Sequence, residues 1–152
     1  MPQASMQSPI GTISVESDGE RLTAIRIGGV APAPGSRDDP LVREALAQLA
    51  AFLDRRLTRF DLPLAPAITP RGEAHRAAIA GIAHGQTASY GELARTIGSS
   101  PRAIGQACRR NPYPIVVPCH RVLGAAQALG NYSAGEGIVT KRWLLDHERS
   151  RG

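Results

Sequence analysis

Three prolines within eight residues, Pro63, Pro66 and Pro70, constrain this chain more than any other feature. Each fixes φ and lacks a backbone donor, so neither a helix nor a central strand can run through the stretch. It reads as a linker, dividing the 152 residues into an N-terminal unit over 1–66 and a C-terminal unit over 67–152. Charge divides at the same place. Residues 1–66 hold 7 arginines and 8 acidic residues, a net of −1. Residues 67–152 hold 10 arginines, 1 lysine and 5 acidic residues, a net of +6. The second unit is therefore the candidate for a polyanionic partner, set against the plainer reading of a solvated, arginine-rich surface.

Within the first unit, Ile13-Ser14-Val15 and Thr23 to Ile27 read as short strands joined through an Asp18-Gly19 turn. A Gly/Pro/Ser-rich loop runs from Gly28 to about Arg37. Asp39-Pro40 then supplies an N-cap and a first-turn proline. Val42, Ala45, Leu46, Leu49, Phe52 and Leu53 follow at helical spacing and give one buried stripe. Aromatics make up only 4% of the chain, so the core must come mainly from Ala, Leu, Ile and Val. Two strands and a helix make a small α+β unit without recognisable chemistry.

In the second unit, Ala74, Ala78, Ile79 and Ile82 predict a helix ending near Gly85. Ser89-Tyr90-Gly91-Glu92 is a capping box opening a helix whose apolar side is Leu93, Ala94 and Ile97, closed by Gly98. Ser100-Pro101 opens another helix after a tight turn. There Ile104, Ala107 and Cys108 share one face, while Arg102, Gln106 and Arg109 share another beside Arg110. Two short helices, a tight turn and a basic second helix predict a helix-turn-helix.

The segment from Asn111 to Val122 carries the chemistry. A buried apolar run ends in Pro118-Cys119-His120-Arg121. A free thiol titrates near ~8.5 and only its thiolate is a good nucleophile. His120 and Arg121 are the residue types that lower such a value. The plainer reading is an inert buried cysteine at a strand end. Two cysteines and four scattered histidines have no zinc-ligand spacing, so neither metal nor cofactor is expected. The start Met1-Pro2-Gln3-Ala4-Ser5 lacks the layout of a secretory signal, and no apolar run approaches the ~20 residues of a membrane span. The expectation is a cytoplasmic, bacterial-type protein near the nucleoid, with no structural disulfide.

The Pro118-Cys119-His120-Arg121-Val122 run resembles the signature of O6-alkylguanine-DNA alkyltransferases (methylated-DNA–protein-cysteine methyltransferases). The likeness runs from about Gly85 to Glu148. It takes in Gly85 to Ala94, Ala103-Ile104-Gly105, Asn111-Pro112, Gly130-Asn131-Tyr132-Ser133 and Lys141 to Glu148. It implies an α+β fold: a small N-terminal α/β, ribonuclease H-like unit, then a helical winged helix-turn-helix domain carrying the active-site cysteine. It also implies a monomer acting on double-stranded DNA that contains O6-alkylguanine, with O4-alkylthymine as a further substrate. Such a protein rotates the base out of the stack and transfers its alkyl group once, irreversibly, to its own cysteine.

Roles follow from the resemblance position by position. Cys119 matches the alkyl acceptor, His120 the base that acts through a water, and Glu148 the carboxylate that orients the histidine. Asn111 matches the asparagine supporting the active-site turn. Tyr90 matches the tyrosine that crowds the phosphate and helps protonate the leaving guanine, and Lys141 the lysine assisting the pocket. Arg102 matches the arginine filling the gap left by the flipped nucleotide. Gly105, Arg109, Arg110, Val122, Asn131, Tyr132 and Ser133 complete the expected DNA and base contacts, with Ser133 placed near O6.

Several positions depart from the family pattern. Arg71 and Arg76 stand where aromatics are usual, His75 replaces an apolar residue, and Ala83-His84 replaces a Pro-Tyr-like pair. The helix-turn-helix turn is shorter, the segment from Ser133 to Lys141 is longer, and Ala134 stands where glycine is common. Competing readings are a non-catalytic sensor of alkylated DNA, a transcriptional regulator and a thiol hydrolase. The regulator has no need of Cys119, His120 and Glu148, and nothing before Cys119 resembles an oxyanion-hole segment.

Overall fold

The computed structural model describes residues 2–29 and 39–149. The chain forms two compact units that divide between Ala65 and Pro66. The loop expected from Gly28 to Arg37 lies, from Val30 onward, outside the described residues.

The first unit holds a three-stranded antiparallel sheet, ordered β1 (Gln3–Met6), β2 (Ile13–Ser17) and β3 (Leu22–Ile27), with helix α1 (Pro40–Leu53) packed on β1 and β2. Ile13, Val15, Leu22, Ile25 and Ile27 from the sheet meet Val42, Ala45, Leu49 and Phe52 from α1 in the core. Asp39 caps α1 by accepting from the Val42 amide at 3.2 Å, and the same Oδ2 accepts from the Ser17 hydroxyl at 2.7 Å. One buried carboxylate thus sets both the helix start and its attachment to β2. The sequence does not announce β1.

The proline stretch is more ordered than a linker. Leu22 donates to the Pro63 carbonyl at 2.8 Å and accepts from the Ala65 amide at 2.9 Å, making a parallel bridge with Leu64. Residues 63–65 thereby extend the sheet edge at the start of β3.

The second unit begins with α2 (Pro70–Ala80), capped by Thr69 and closed by Gly81. The helix expected to run to about Gly85 therefore stops earlier; from Gly81 the chain turns, with Gly85 at φ +80°. Strand β4 (Ala88–Ser89) leads into α3 (Tyr90–Thr96), and α4 (Pro101–Arg109) follows. The capping box is present in both directions, Glu92 N to Ser89 Oγ at 3.0 Å and Ser89 N to Glu92 Oε1 at 2.9 Å. Gly98 at φ +64° makes the tight turn, and Ser100 caps α4 through the Ala103 amide at 3.1 Å. Helix α2 packs on α3 and α4, and His75 Nε2 lies 2.9 Å from the Ser99 hydroxyl, joining α2 to that turn. The Arg76 guanidinium lies over the buried Tyr113 ring at 5.2 Å, a cation–π contact.

A 3-10 turn (Cys119–Arg121) leads into β5 (Val122–Leu123), which pairs in parallel with β4. Helix α5 (Ile138–Arg149) covers the turn with Thr140, Lys141, Leu144, Leu145, His147 and Glu148 buried.

Candidate active site

The turn that presents Cys119 is built by prolines and one asparagine. Pro112, Pro114 and Pro118 offer no amide hydrogen, so few donors in the segment need partners. Asn111 accepts from the Tyr113 amide through Oδ1 at 2.9 Å and donates through Nδ2 to the Val117 carbonyl at 2.9 Å. Its side chain also pulls the Cys119 thiol downward, against larger opposing effects. Ile115, a β-branched residue, sits at φ +75° with 1% exposure. Such a conformation costs roughly 1–3 kcal/mol and persists only where packing and hydrogen bonds over-determine it. The Asn111 bonds and the buried Tyr113 and Val117 on either side supply that determination.

Glu148 is the hub behind the turn. Its Oε2 accepts from His120 Nε2 at 2.6 Å, its two oxygens accept from Arg121 Nε and Nη2 at 2.8–3.1 Å, and Oε1 accepts from the Gly85 amide at 3.2 Å. Arg121 Nη1 donates to the Ile82 carbonyl at 2.6 Å. Burial alone would raise the Glu148 carboxyl, but these hydrogen bonds and the adjacent positive charge bring it down to about 2. A carboxylate cannot donate, so His120 Nε2 carries the hydrogen and Nδ1 is the basic nitrogen. Burial holds the imidazole below its ordinary value against the pull of Glu148, which keeps it neutral at pH 7. Nδ1 is buried without a hydrogen-bond partner, as is the Tyr132 hydroxyl. Two polar groups are thus left unsatisfied at this site, a state that invites a ligand or solvent.

The expectation that His120 and Arg121 lower the thiol pKa is not met. Both direct their donors at Glu148, and the Cys119 thiol is pushed up, first by its hydrogen bond to Cys108 and then by burial. In a 3-10 turn consecutive side chains diverge by about 120°, so sequence neighbours of a nucleophile need not face it. Cys108 moves the other way: the hydrogen bond from Cys119 lowers it despite burial, with help from Lys141.

Lys141 is fully buried. Its ammonium donates to the carbonyls of Val122 at 2.7 Å, Leu129, and Asn131 at 3.4 Å. It therefore clamps the loop after β5 onto α5, and burial lowers its pKa. Tyr90 lies between α4 and this loop: a Cβ at Gly130 would sit 3.3 Å from its hydroxyl, and one at Gly105 would sit 3.9 Å from its ring. Burial and the nearby thiols raise the Tyr90 phenol to about 12, so it stays protonated.

These contacts bring together Tyr90, Asn111, Cys119, His120, Lys141 and Glu148, with Gly105, Val122, Asn131 and Tyr132 at the margins. Arg102, Arg109 and Arg110 are exposed on or just after α4, and Arg109 is near enough to Tyr90 to act on its phenol. Asn131 and Ser133 are exposed in the loop. Sequence reasoning named Arg121, Cys108 and Gly130 but not what they meet: Arg121 pairs with Glu148, Cys108 acts on Cys119, and Gly130 lies against Tyr90. Among the described residues no His, Cys, Asp or Glu group could hold a metal ion, and no helix is long and apolar enough to cross a membrane.

Comparison with known proteins gives matches over both units. Residues 1–66 match the family model "6-O-methylguanine DNA methyltransferase, ribonuclease-like domain", and residues 73–150 match "6-O-methylguanine DNA methyltransferase, DNA binding domain". A methylated-DNA–protein-cysteine methyltransferase of Methanosarcina acetivorans is 38% identical, covering 99% of each chain. The constitutive methylated-DNA–protein-cysteine methyltransferase of Bacillus subtilis is 32% identical over 94% of this chain and 92% of its own. The crystal structure of Mycobacterium tuberculosis OGT in complex with DNA superposes with a TM-score of 0.87 at 37% identity, covering 100% of this chain and 95% of that one.

Proposed function

The chain belongs to the 6-O-methylguanine DNA methyltransferase family, and on that premise we propose that it reverses alkylation damage by moving the alkyl group of O6-alkylguanine onto Cys119. The observation that carries this reading is the pairing of the Cys119 turn with a neutral, carboxylate-oriented His120 whose Nδ1 is buried and unpaired. Cys119 Sγ attacks the alkyl carbon as the carbon–O6 bond breaks, and the electron pair stays on guanine. The thiol proton passes through a water to His120 Nδ1, and Glu148 stabilises the imidazolium. Tyr90, held protonated, donates toward the departing base. The product thioether has no easy leaving group, so each molecule reacts once.

Because Cys119 is only 4% exposed, a base still stacked in duplex cannot meet it, and the target must be flipped out. Arg102 fills the vacated position, while Arg109 and Arg110 neutralise phosphates. Gly105, Val122, Asn131, Tyr132 and Ser133 surround the flipped base, and Lys141 shapes that pocket by fixing its loop. Asn111 holds the turn. O4-alkylthymine enters the same pocket. The protein works as a cytoplasmic monomer of two domains, at or near the nucleoid.

Intact-protein mass spectrometry after mixing with a duplex bearing one O6-methylguanine tests the reading. A gain of one methyl, mapped to the Cys119 peptide and capped at one per chain, is expected, and Cys119→Ser abolishes it without abolishing DNA binding. Tight lesion binding with no mass gain would instead establish a sensor.

A further inference from the structure

Helix α4 carries the arginines that face DNA on the proposed reading, yet only one of its nine residues, Ile104, is buried. Packing alone therefore fixes the direction of this helix weakly, and its two ends decide where Arg102 stands. At the far end the Asn111 amide donates to the Cys108 carbonyl at 3.3 Å. At the near end residues 97–100 make the turn. A Cβ built on Gly98 meets nothing within 4 Å among the described residues, so hydrogen bonds rather than packing hold the chain at that point. The Ser99 amide donates to the Ala94 carbonyl of α3 at 2.8 Å, and the Ser100 hydroxyl accepts from the Ala103 amide of α4 at 3.1 Å. A third bond comes from outside this helix pair. His75 Nε2 of α2 lies 2.9 Å from the Ser99 hydroxyl, with His75 only 8% exposed.

Helix α2 is itself tied to the active-site segment. Arg76, the residue after His75, lies over the Tyr113 ring at 5.2 Å. Asn111 accepts from the Tyr113 amide and donates to the Val117 carbonyl, two residues before Cys119. Adjacent residues of α2 thus reach the segments entering and leaving α4.

We propose that His75 is a positioning residue for lesion engagement: through Ser99 it fixes the start of α4 relative to the Cys119 turn, and so places Arg102 where a flipped nucleotide leaves a gap. The inference rests on the proposed function and names a residue which that mechanism does not use. His75 touches neither the base nor the thiol, so the chemistry of transfer is unchanged without it. What is lost is the fit of α4 to a duplex, and a misplacement of about 1 Å is enough to spoil such a fit. The demand is specific to duplex. A base in a single strand is already unstacked, leaves no gap behind and needs no side chain to fill one.

The test times methyl uptake from one O6-methylguanine by mass spectrometry under single-turnover conditions, in a duplex and in the same strand alone. The readout is the ratio of the two rate constants. Loss of folded protein lowers both rates alike, so a merely structural role leaves the ratio where it was. For His75→Leu, which fills the same space without a polar atom, the ratio is expected to fall about fivefold, the factor that one neutral hydrogen bond of ordinary strength is worth. Ser99→Ala removes the other partner and gives the same fall, and the double variant falls no further. His75→Gln, whose amide reaches the same point and can either donate or accept, returns the ratio to within about twofold of wild type. The proposal is overturned if His75→Leu and Ser99→Ala keep the wild-type ratio, if their losses multiply in the double variant, or if His75→Gln restores nothing. Wild-type protein that takes methyl from neither substrate overturns the reading of function instead.

Discussion

Replacing Glu148 by glutamine removes the carboxylate on which His120, Arg121 and Gly85 converge. The shape is kept, so the loss is electrostatic: Arg121 remains buried at 5% exposure with its donors facing a neutral amide. Breaking a buried pair by removing one partner costs about 3–5 kcal/mol. The carboxyl itself gives an independent figure. It falls from 4.5 to about 2 on folding, and at ~1.36 kcal/mol per unit that is on the order of 2–3 kcal/mol once partial solvent screening is allowed. Its folded pKa is depressed, so this stabilisation is complete above about pH 4.5 and is lost as pH falls toward about 2. Urea denaturation of both proteins at a series of pH values measures it. At pH 7 the variant is expected to lie about 3 kcal/mol below wild type, and the gap should narrow steadily below about pH 4.5, as wild type acquires the same neutral partner. His120 adds a second slope. Its folded pKa is lowered, so the unfolded chain takes up that proton first and stability declines below about pH 6.5. Methyl transfer by the variant should slow by about 100-fold or more at pH 7, since the imidazole loses its orienting anion. A variant as stable as wild type at pH 7, or a gap that does not change with pH, would refute the hub role of Glu148.

Lys141→Met leaves the Val122, Leu129 and Asn131 carbonyls without their donor, and should cost about 2–4 kcal/mol in thermal or urea unfolding. Gly130→Ala places a Cβ at φ +67° and 3.3 Å from the Tyr90 hydroxyl; a loss of about 1–2 kcal/mol is expected, with slower transfer as Tyr90 is displaced. Removing Arg102, Arg109 or Arg110 singly should flatten the dependence of log affinity on log salt by about 1 for each phosphate left unneutralised, measured by fluorescence anisotropy on an alkylated duplex.

Helix starts were legible in the sequence because their chemistry is local. Asp39-Pro40, Ser89 to Glu92 and Ser100-Pro101 each complete their hydrogen bonds within three residues. Strand β1 was not, since Gln3 to Met6 are all half-buried and hold their place through the ladder to β2 rather than through any pattern of their own. The same holds for Pro63 to Ala65, whose strand-like pairing comes from Leu22. At the site, the resemblance named Cys119, His120 and Glu148, but the sequence could not say where Arg121 points. Its carboxylate partner lies 27 residues on, and its carbonyl partner 39 residues back. Lys141 was placed at the pocket by the resemblance alone, because the three carbonyls that hold its charge belong to another segment. Helical spacing put Cys108 on an inner face beside Ile104, yet only the tertiary fold could bring its thiol to Cys119.

The Glu148 hub also sets an order of events during synthesis. Ile82, Gly85, Cys119 and Arg121 all leave the ribosome before Glu148, which arrives near the end of α5. A nascent chain therefore displays its thiol before the imidazole has an anion to orient it and before Arg121 has a counter-charge. On the proposed mechanism, reactivity switches on when α5 docks, so chemical competence and completion of the domain coincide. For a protein that can react only once, a half-made molecule is thereby kept from using up its single event.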